Sequence, residues 1–169
     1  MAGSKFHLAI EFNKQGKVFG SSTKKEGDLD YGKGLECHGF NYEVITQIDP
    51  NSGLAVGRRR HAPITIRREV DAASPKLLQA LVTNEVFKTA TISFNRIDAT
   101  GKPGVAHTIE LINGTVCEYH TYHGEAGGEG TSREQYTTNE LEELKLTFQK
   151  ITFTWTKGGI TAVDDWLVG

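Results

Sequence analysis

The chain has 169 residues, of which 37% are hydrophobic and 24% are charged, and its formal net charge is -2. This length and composition predict one globular domain over residues 1–169 and exclude a disordered protein. A slightly negative chain also lacks the positive field of proteins that bind nucleic-acid backbones. Only two cysteines are present, Cys37 and Cys117, which favours reduced, buried thiols over a disulfide framework.

The first 20 residues, MAGSKFHLAIEFNKQGKVFG, contain only a short apolar stretch, which His7 and Glu11 interrupt. This stretch lacks the continuous apolar run of a signal peptide. No window of the chain approaches the roughly 18 apolar residues of a membrane-spanning helix. We therefore expect synthesis in the cytoplasm and no membrane insertion.

The first predicted element is a half-buried strand, KFHLAIEF, in which Phe6, Leu8, Ile10 and Phe12 alternate with polar or small residues. Residues 13–35 are rich in glycine, lysine and serine, so they predict mainly loop with one short strand near Val18. A second strand is predicted over ECHGFNYEVIT.

The run QIDPNSGLAVGRRR, residues 47–60, predicts a long exposed excursion from the sheet. Its centre is Asp-Pro-Asn-Ser-Gly, a strong turn signal. The chain then returns to a strand, APITIRREV, in which Ile64 and Ile66 share one face.

One short helix is predicted after this strand. Ser74 is placed to cap it, and Pro75 follows at the first helical position, where its missing N–H costs nothing. Leu77, Leu78, Leu81 and Val82 are predicted to form its buried stripe, and Asn84 can end it in a left-handed conformation. We therefore expect Leu78→Asp to unfold the domain, because it would bury an unpaired charge.

The remaining chain predicts more antiparallel sheet. VFKTATISFNRI and VAHTIELINGTVCEYHTY form a hairpin across a turn at residues 101–104. Residues 123–139 are a glycine-rich, mobile connection. The last strand is LEELKLTFQKITFTW, whose apolar face changes at Gln149–Lys150, as at a bulge or a barrel corner. This pattern favours a closed or two-sheet antiparallel β structure with one flanking helix.

The sequence contains no assembled catalytic motif. Cys117, His120 and His123 have the spacing of zinc ligands, but on a strand His120 points away from the other two. There is no nucleophile elbow, phosphate-binding loop or dinucleotide-binding motif. Asp164 and Asp165 alone are weak support for acid–base chemistry. We therefore expect no catalytic residue, no cofactor and no metal.

Five arginines between Arg58 and Arg68 are the most unusual feature of the sequence. Three interpretations remain open: a solvated basic surface, a phosphate-binding patch, or a contact between subunits. The phosphate interpretation is weakened because no aromatic residue lies between Tyr42 and Phe87 to stack on a base. The segment from Glu125 to Glu143 has six glutamates and one arginine, so complementary charges favour self-association.

Two segments resemble the haemolysin-coregulated protein (Hcp) family, the tube proteins of bacterial type VI secretion systems. The first resembles the family's strand, followed by a helix that begins with Ser-Pro, at His61, Pro63, Ile64, Ile66, Glu69, Asp71, Ser74 and Pro75. The second is the closing segment, LEELKLTFQKITFTWTKGGITAVDDWLVG, with Asp164 and Trp166 in its D-x-W ending. The resemblance extends over nearly the whole chain.

The resemblance implies a mainly β fold, a two-sheet antiparallel β-barrel with one short flanking α-helix, that assembles into a hexameric ring. Such rings stack into a tube, which is propelled through a contractile sheath and is similar to phage tail tubes. The implied partners are further copies of this chain, the sheath, the spike and small effector proteins. The implied route is secretion through the type VI system without a signal peptide.

In the family, the excursion between the second and third main strands reaches a neighbouring subunit. The resemblance thus implies a subunit-interface or channel role for residues of the excursion, namely Asn51, Leu54, Val56, Arg58, Arg59 and Arg60. The arginines would meet acids of an adjacent subunit or ring, or line the channel. The alternative is a monomeric β-barrel that binds an anionic ligand such as nucleic acid, and it rests on the arginines alone.

Overall fold

The computed structural model describes residues 5–123 and 140–167. The described residues form fourteen strands and one α-helix. The strands in chain order are β1 (Phe6–Phe12), β2 (Gly16–Lys17), β3 (Lys25–Glu26), β4 (Leu29–Asp30), β5 (Leu35–Cys37), β6 (Gly39–Asn41), β7 (Val44–Ile45), β8 (Arg60–His61), β9 (Ile64–Glu69), β10 (Val86–Ile97), β11 (Pro103–Tyr122), β12 (Leu141–Leu146), β13 (Lys150–Trp155) and β14 (Ile160–Asp165). The helix α1 (Ser74–Val82) lies between β9 and β10, and a short 3-10 turn covers Tyr31–Lys33.

Ten strands belong to one antiparallel sheet with the main order β2-β1-β10-β11-β12-β9-β6. Strand β13 pairs with β11 and β14, and β5 pairs with β1. Two small sheets, β3–β4 and β7–β8, complete the described strands. The predicted hairpin of β10 and β11 is confirmed, with Ile97 opposite Pro103 at its turn.

The expected two-sheet, closed barrel is not what the structure shows, although the mainly β, antiparallel fold with one helix is confirmed. Among the described strands, the pairing order of the large sheet has two ends and does not close. Because β5 and β6 are separated only by His38 and pair with β1 and β9 respectively, the two ends of the sheet are brought close together. The result is one strongly bent sheet.

The bend in β11 explains why two separate sheets do not form. Residues 107–112 of β11 pair with β13, whereas residues 116–122 pair with β12. Between these parts Asn113 has a φ of 52°, and a Cβ on Gly114 would lie 1.9 Å from the Thr147 carbonyl oxygen. Only glycine permits this approach, so one continuous strand passes from one half of the sheet to the other.

The hydrophobic core lies on the inner face of this sheet. Phe6, Leu8, Ile10 and Phe12 of β1 are all buried, as predicted, and so are Ile64 and Ile66 of β9. The core also contains Leu144 and Leu146 of β12 and Ile151 of β13. The predicted change of apolar face is confirmed, but it ends β12 and begins β13 instead of interrupting one long strand.

Helix α1 covers part of this core and packs against β11. Pro75 lies in the first turn, but the helix begins at Ser74, one residue earlier than predicted, and its N-cap is Ala73. Asn84 has the predicted left-handed φ of 52°. The Ser74 side chain does not cap the helix; its hydroxyl accepts from the Asp71 amide at 3.0 Å instead.

The predicted buried stripe of the helix is partly wrong. Leu77 is fully buried, whereas Leu78 is 44% exposed and Val82 also faces solvent. The helix buries Ser74, Leu77 and Ala80, and Leu81 of the predicted stripe packs against the core while partly exposed. The side of the helix that faces the sheet therefore differs from the predicted stripe.

Three further predictions have different outcomes. Cys37 is buried and Cys117 is exposed, and both are free thiols, so burial of Cys117 is a wrong prediction. The predicted strand over ECHGFNYEVIT is divided into β5, β6 and β7. The predicted glycine-rich connection lies outside the described residues from position 124 to position 139.

Candidate functional site

The most prominent surface feature is a hairpin arm, residues 44–61. Strands β7 and β8 form its stem, with Val44 opposite His61 and Ile45 opposite Arg60. Further out, Ile48 and Ala55 form an isolated bridge. The predicted exposed excursion is therefore confirmed, and it is an ordered hairpin.

The tip of the arm is organised by Asp49. Its Oδ1 accepts from the Asn51 amide at 2.9 Å, and its Oδ2 accepts from the Ser52 hydroxyl at 3.0 Å. Gly53 follows with a φ of 71°, which favours glycine. These hydrogen bonds lower the pKa of Asp49, the bond from the Asn51 amide contributing most.

The arm exposes apolar side chains to solvent. Ile48 is 63% exposed and Leu54 is 67% exposed, and the same holds in lesser degree for Val44, Ile45 and Val56. Full burial of one such side chain is worth roughly 1.5–3 kcal/mol. Several apolar side chains that remain in water on one projecting element are typical of an interaction surface.

The base of the arm is bound to the end of β14 through Asp164. The Arg59 guanidinium donates to both Asp164 oxygens, each at 2.7 Å, and to the Asp165 carbonyl at 2.9 Å. The His61 Nε2 lies 2.5 Å from Asp164 Oδ2, and the Tyr42 hydroxyl lies 2.8 Å from His61 Nδ1. These bonds, with that of Arg59 first, lower the pKa of Asp164 to about 2.

Tyr42, Arg59, His61 and Asp164 form a cluster that we call the arm root, and aromatic rings shield its histidine. The His61 ring lies 5.3 Å from the Phe148 ring and 5.2 Å from the Trp166 ring, measured between centroids. The His61 side chain is therefore almost inaccessible to water. The two resembling segments of the sequence thus meet here, because His61 belongs to one and Asp164 and Trp166 to the other.

The other arginines of the basic run have different surroundings. Arg67 of β9 donates to Glu143 of β12 at 2.9 Å, and the two residues are cross-strand neighbours. Arg68 is buried and pairs with the buried Glu142 and, at 2.6 Å, with Asp71. Arg58 and Arg60 are exposed and form no ion pair with a described residue.

These pairs change the interpretation of the opposed charges. Glu142 and Glu143, at the end of the acidic segment, bind arginines of their own chain. Arg59 likewise meets an acid of its own chain. The glutamates from Glu125 to Glu134 lie outside the described residues, so a subunit contact through them stays a prediction.

The residues predicted for a subunit interface all belong to the arm, but they are spread from its tip to its root and do not form one cluster. Asn51 is at the tip, Leu54 and Val56 are on the returning strand, and Arg58 and Arg60 flank the root. Sequence reasoning missed Tyr42 and the pairing of Arg59 with Asp164. The D-x-W ending marked Asp164, but nothing in the sequence connected it to an arginine 105 positions earlier.

Two structural findings bear on other classes of function. Within residues 5–123 and 140–167, no group of three or more histidine, cysteine or acidic side chains could hold a metal ion. Likewise, no helix in the described part of the chain is sufficiently long and apolar to cross a membrane.

The fold and the site define a mainly β, antiparallel protein with one helix and a projecting hairpin arm. The family model described as type VI secretion system effector, Hcp, matches residues 11–155. The chain therefore belongs to the Hcp family, which consists of structural secreted proteins and not of enzymes.

Similar proteins agree with this assignment. The chain is 32% identical over 165 residues to the major exported protein of Pseudomonas aeruginosa, and the alignment covers 95% of this chain and 94% of that protein. A mutant of Hcp1 from the E. coli EAEC 042 pathovar superposes with a TM-score of 0.78 at 24% identity, covering 98% of this chain and 99% of that chain. Secreted protein Hcp3 from Pseudomonas aeruginosa has a TM-score of 0.74 at 24% identity, with coverages of 97% and 99%. The two structures share the fold with this chain.

Proposed function

We propose that this chain is a structural subunit of the inner tube of a type VI secretion system. Six copies form a ring, and rings stack into a tube that is propelled out of the cell and carries small effectors. Its partners are other copies, the sheath, the spike and effector proteins, and nucleic acid is not among them. Family membership and the exported relative support this role.

The observation that carries the ring is the arm with its exposed apolar side chains. An arm that projects from one copy and packs on a different surface of the next copy makes a head-to-tail contact. Such contacts close into a ring when the rotation between copies divides a full turn. The arm residues Asn51, Leu54, Val56, Arg58 and Arg60 then form one side of the interface.

A second apolar surface is available to receive the arm. Phe153 and Trp155 of β13 lie on the face of the sheet that bears the core, and Ile160 of β14 lies opposite Trp155. Phe153 and Ile160 are nevertheless exposed, because the core does not extend to this edge. We infer that the arm of one copy covers this edge of its neighbour.

The experiment compares the mass of the purified protein with that of two variants. Light scattering and native mass spectrometry are expected to give six copies of the 18.6 kDa chain, and negative-stain images are expected to show rings. Leu54→Asp places a charge on the arm and is expected to give monomers with unchanged melting temperature. Leu78→Asp is the matched control, because Leu78 is also an exposed leucine but lies on the helix.

A wild-type protein that stays monomeric at micromolar concentration would overturn the proposal. The alternative, a monomeric protein that binds an anionic ligand, rested on five arginines and is now less well supported. Arg59, Arg67 and Arg68 already bind carboxylates of their own chain, which leaves Arg58 and Arg60 for a ligand. A monomer that a phosphate matrix retains in a salt-dependent manner would favour that alternative.

A further inference from the structure

In the arm root, a single carboxylate, that of Asp164, is connected to both ends of the arm. Tyr42 lies two residues before the first residue of the arm, and Arg59 and His61 are at its returning end. Asp164 binds Arg59 and His61 directly, and His61 carries the connection on to Tyr42. With Nε2 donating to Asp164, the His61 Nδ1 accepts from Tyr42, so every bond in the chain has a donor and an acceptor.

The carboxylate is itself fixed to the body of the domain. Asp164 lies in β14 opposite Ile151 of β13, and Ile151 belongs to the buried core. Arg59 binds the carboxylate with two parallel bonds, a geometry that restricts rotation as well as distance. Phe148 and Trp166 exclude water from the His61 ring, which strengthens its bond to Asp164, whereas Arg59 and Asp164 themselves stay about a quarter exposed.

We propose that Asp164 is a positioning residue that sets the direction of the arm relative to the sheet. Without its carboxylate, the arm keeps its own hairpin bonds but turns about its two-stranded stem. The tip is far from the stem, so a small rotation at the root displaces Leu54 and Asn51 by a large distance. The importance of this direction for assembly rests on the proposed function, whereas the positioning itself does not.

The test compares Asp164→Asn with Asp165→Asn. Among the described residues, the Leu167 amide is the one hydrogen-bond donor to the Asp165 side chain, and it is the carbonyl of Asp165 that binds Arg59. Both variants are placed in the Leu54→Asp background at high dilution, so that each is measured as a monomer. The readouts are amide hydrogen exchange over residues 44–61 and the rate of tryptic cleavage at Arg58 and Arg60.

Asp164→Asn is expected to raise exchange and cleavage in the arm about tenfold, with the exchange of β1 and β10 unchanged. Asp165→Asn is expected to match the parent. Equal rates in the two variants would overturn the positioning role. If Asp164→Asn lowers the melting temperature of the whole domain, Tyr42→Phe is measured instead, because it removes only the hydroxyl that donates to His61. Faster exchange confined to the arm supports the proposal, and unchanged exchange overturns it.

The same two substitutions in the wild-type background test the consequence for assembly. Asp164→Asn is expected to raise the concentration at which rings dissociate about tenfold, and Asp165→Asn is not. If the wild-type protein forms no ring, the proposed function fails, but the exchange measurement on the monomer still decides the role of Asp164.

Discussion

Arg68 is a buried arginine that two carboxylates of the described chain neutralise. It is 1% exposed, and its partner Glu142 is fully buried. Asp71 receives the other side of the guanidinium and also accepts from the Ser21 and Ala73 amides. One arginine thereby ties β9 to β12 and to the loop that leads into the helix.

We predict that Arg68→Met destabilises the domain by about 3–5 kcal/mol, because it leaves Glu142 buried without its counter-charge. The double variant Arg68→Met, Glu142→Leu is expected to be more stable than the single one, since no buried charge then remains unpaired. Urea denaturation measures both. The control is Arg67→Gln, whose exposed pair is worth under about 1 kcal/mol, and a similar loss in Arg67→Gln would contradict the prediction.

A second prediction at this scale concerns pH. Burial lowers the pKa of His7, and burial followed by the charge of Arg96 lowers that of His107. Both side chains therefore bind protons more readily in the unfolded chain, so stability is undiminished above pH 6.5 and declines as the pH falls below it.

The measurement is the urea midpoint at pH 7.5 and 5.5, which we expect to be lower at pH 5.5. His107 stacks on the Phe94 ring at 4.5 Å, and its buried Nδ1 has no hydrogen-bond partner in the described residues. His107→Phe is therefore expected to reduce the decline. His120→Gln changes an exposed histidine and is expected to leave it unaltered; an equal effect of the two would contradict this account.

The sequence predicts the ends of helix α1 but not which of its side chains are buried. Proline at the start and Asn84 at the end were predictable, because both depend on local backbone geometry. The choice between Leu77 and Leu78 was not, because it depends on the side from which the helix approaches the sheet.

The stability of α1 is expected to depend on Leu77 alone of this pair. Leu77→Ala leaves a cavity and is predicted to cost about 2–5 kcal/mol. Leu78→Asp, in contrast to the expectation from sequence, is predicted to change the free energy of unfolding by about 0.5 kcal/mol or less. Thermal and urea melts of the two variants decide, and a large loss in Leu78→Asp would show that the helix is rotated.

In the sheet and the arm root, too, features with a local sequence signal were predictable and long-range contacts were not. Alternation in KFHLAIEF identified the buried face of β1, because a strand with one face in the core must alternate. The bend at Asn113–Gly114 had a local signal, a glycine inside a strand, which indicates close backbone approach. The pairing of Arg59 with Asp164 had none, since only the tertiary fold brings residues so distant in sequence together.

In the assembled molecule, a ring could be stabilised by ion pairs between copies or by burial of apolar side chains. Surface ion pairs contribute roughly 0–1 kcal/mol each, and of the basic run Arg58 and Arg60 are the arginines without an ion pair to a described residue. The apolar side chains of the arm offer several times that free energy when they are buried. Apolar contacts are therefore expected to dominate the assembly, with charge selecting the register between copies.

This balance predicts that rings survive high salt. Between 0.1 and 1 M NaCl the Debye length falls from about 10 Å to about 3 Å. Exposed ion pairs are therefore screened, whereas apolar contacts are not weakened. The mass from light scattering is expected to stay that of the ring across this range, and Arg58→Gln, Arg60→Gln is expected to behave alike. Dissociation of the wild-type ring by salt, together with loss of the ring in the double variant already at 0.1 M NaCl, would instead assign the ring to the arginines.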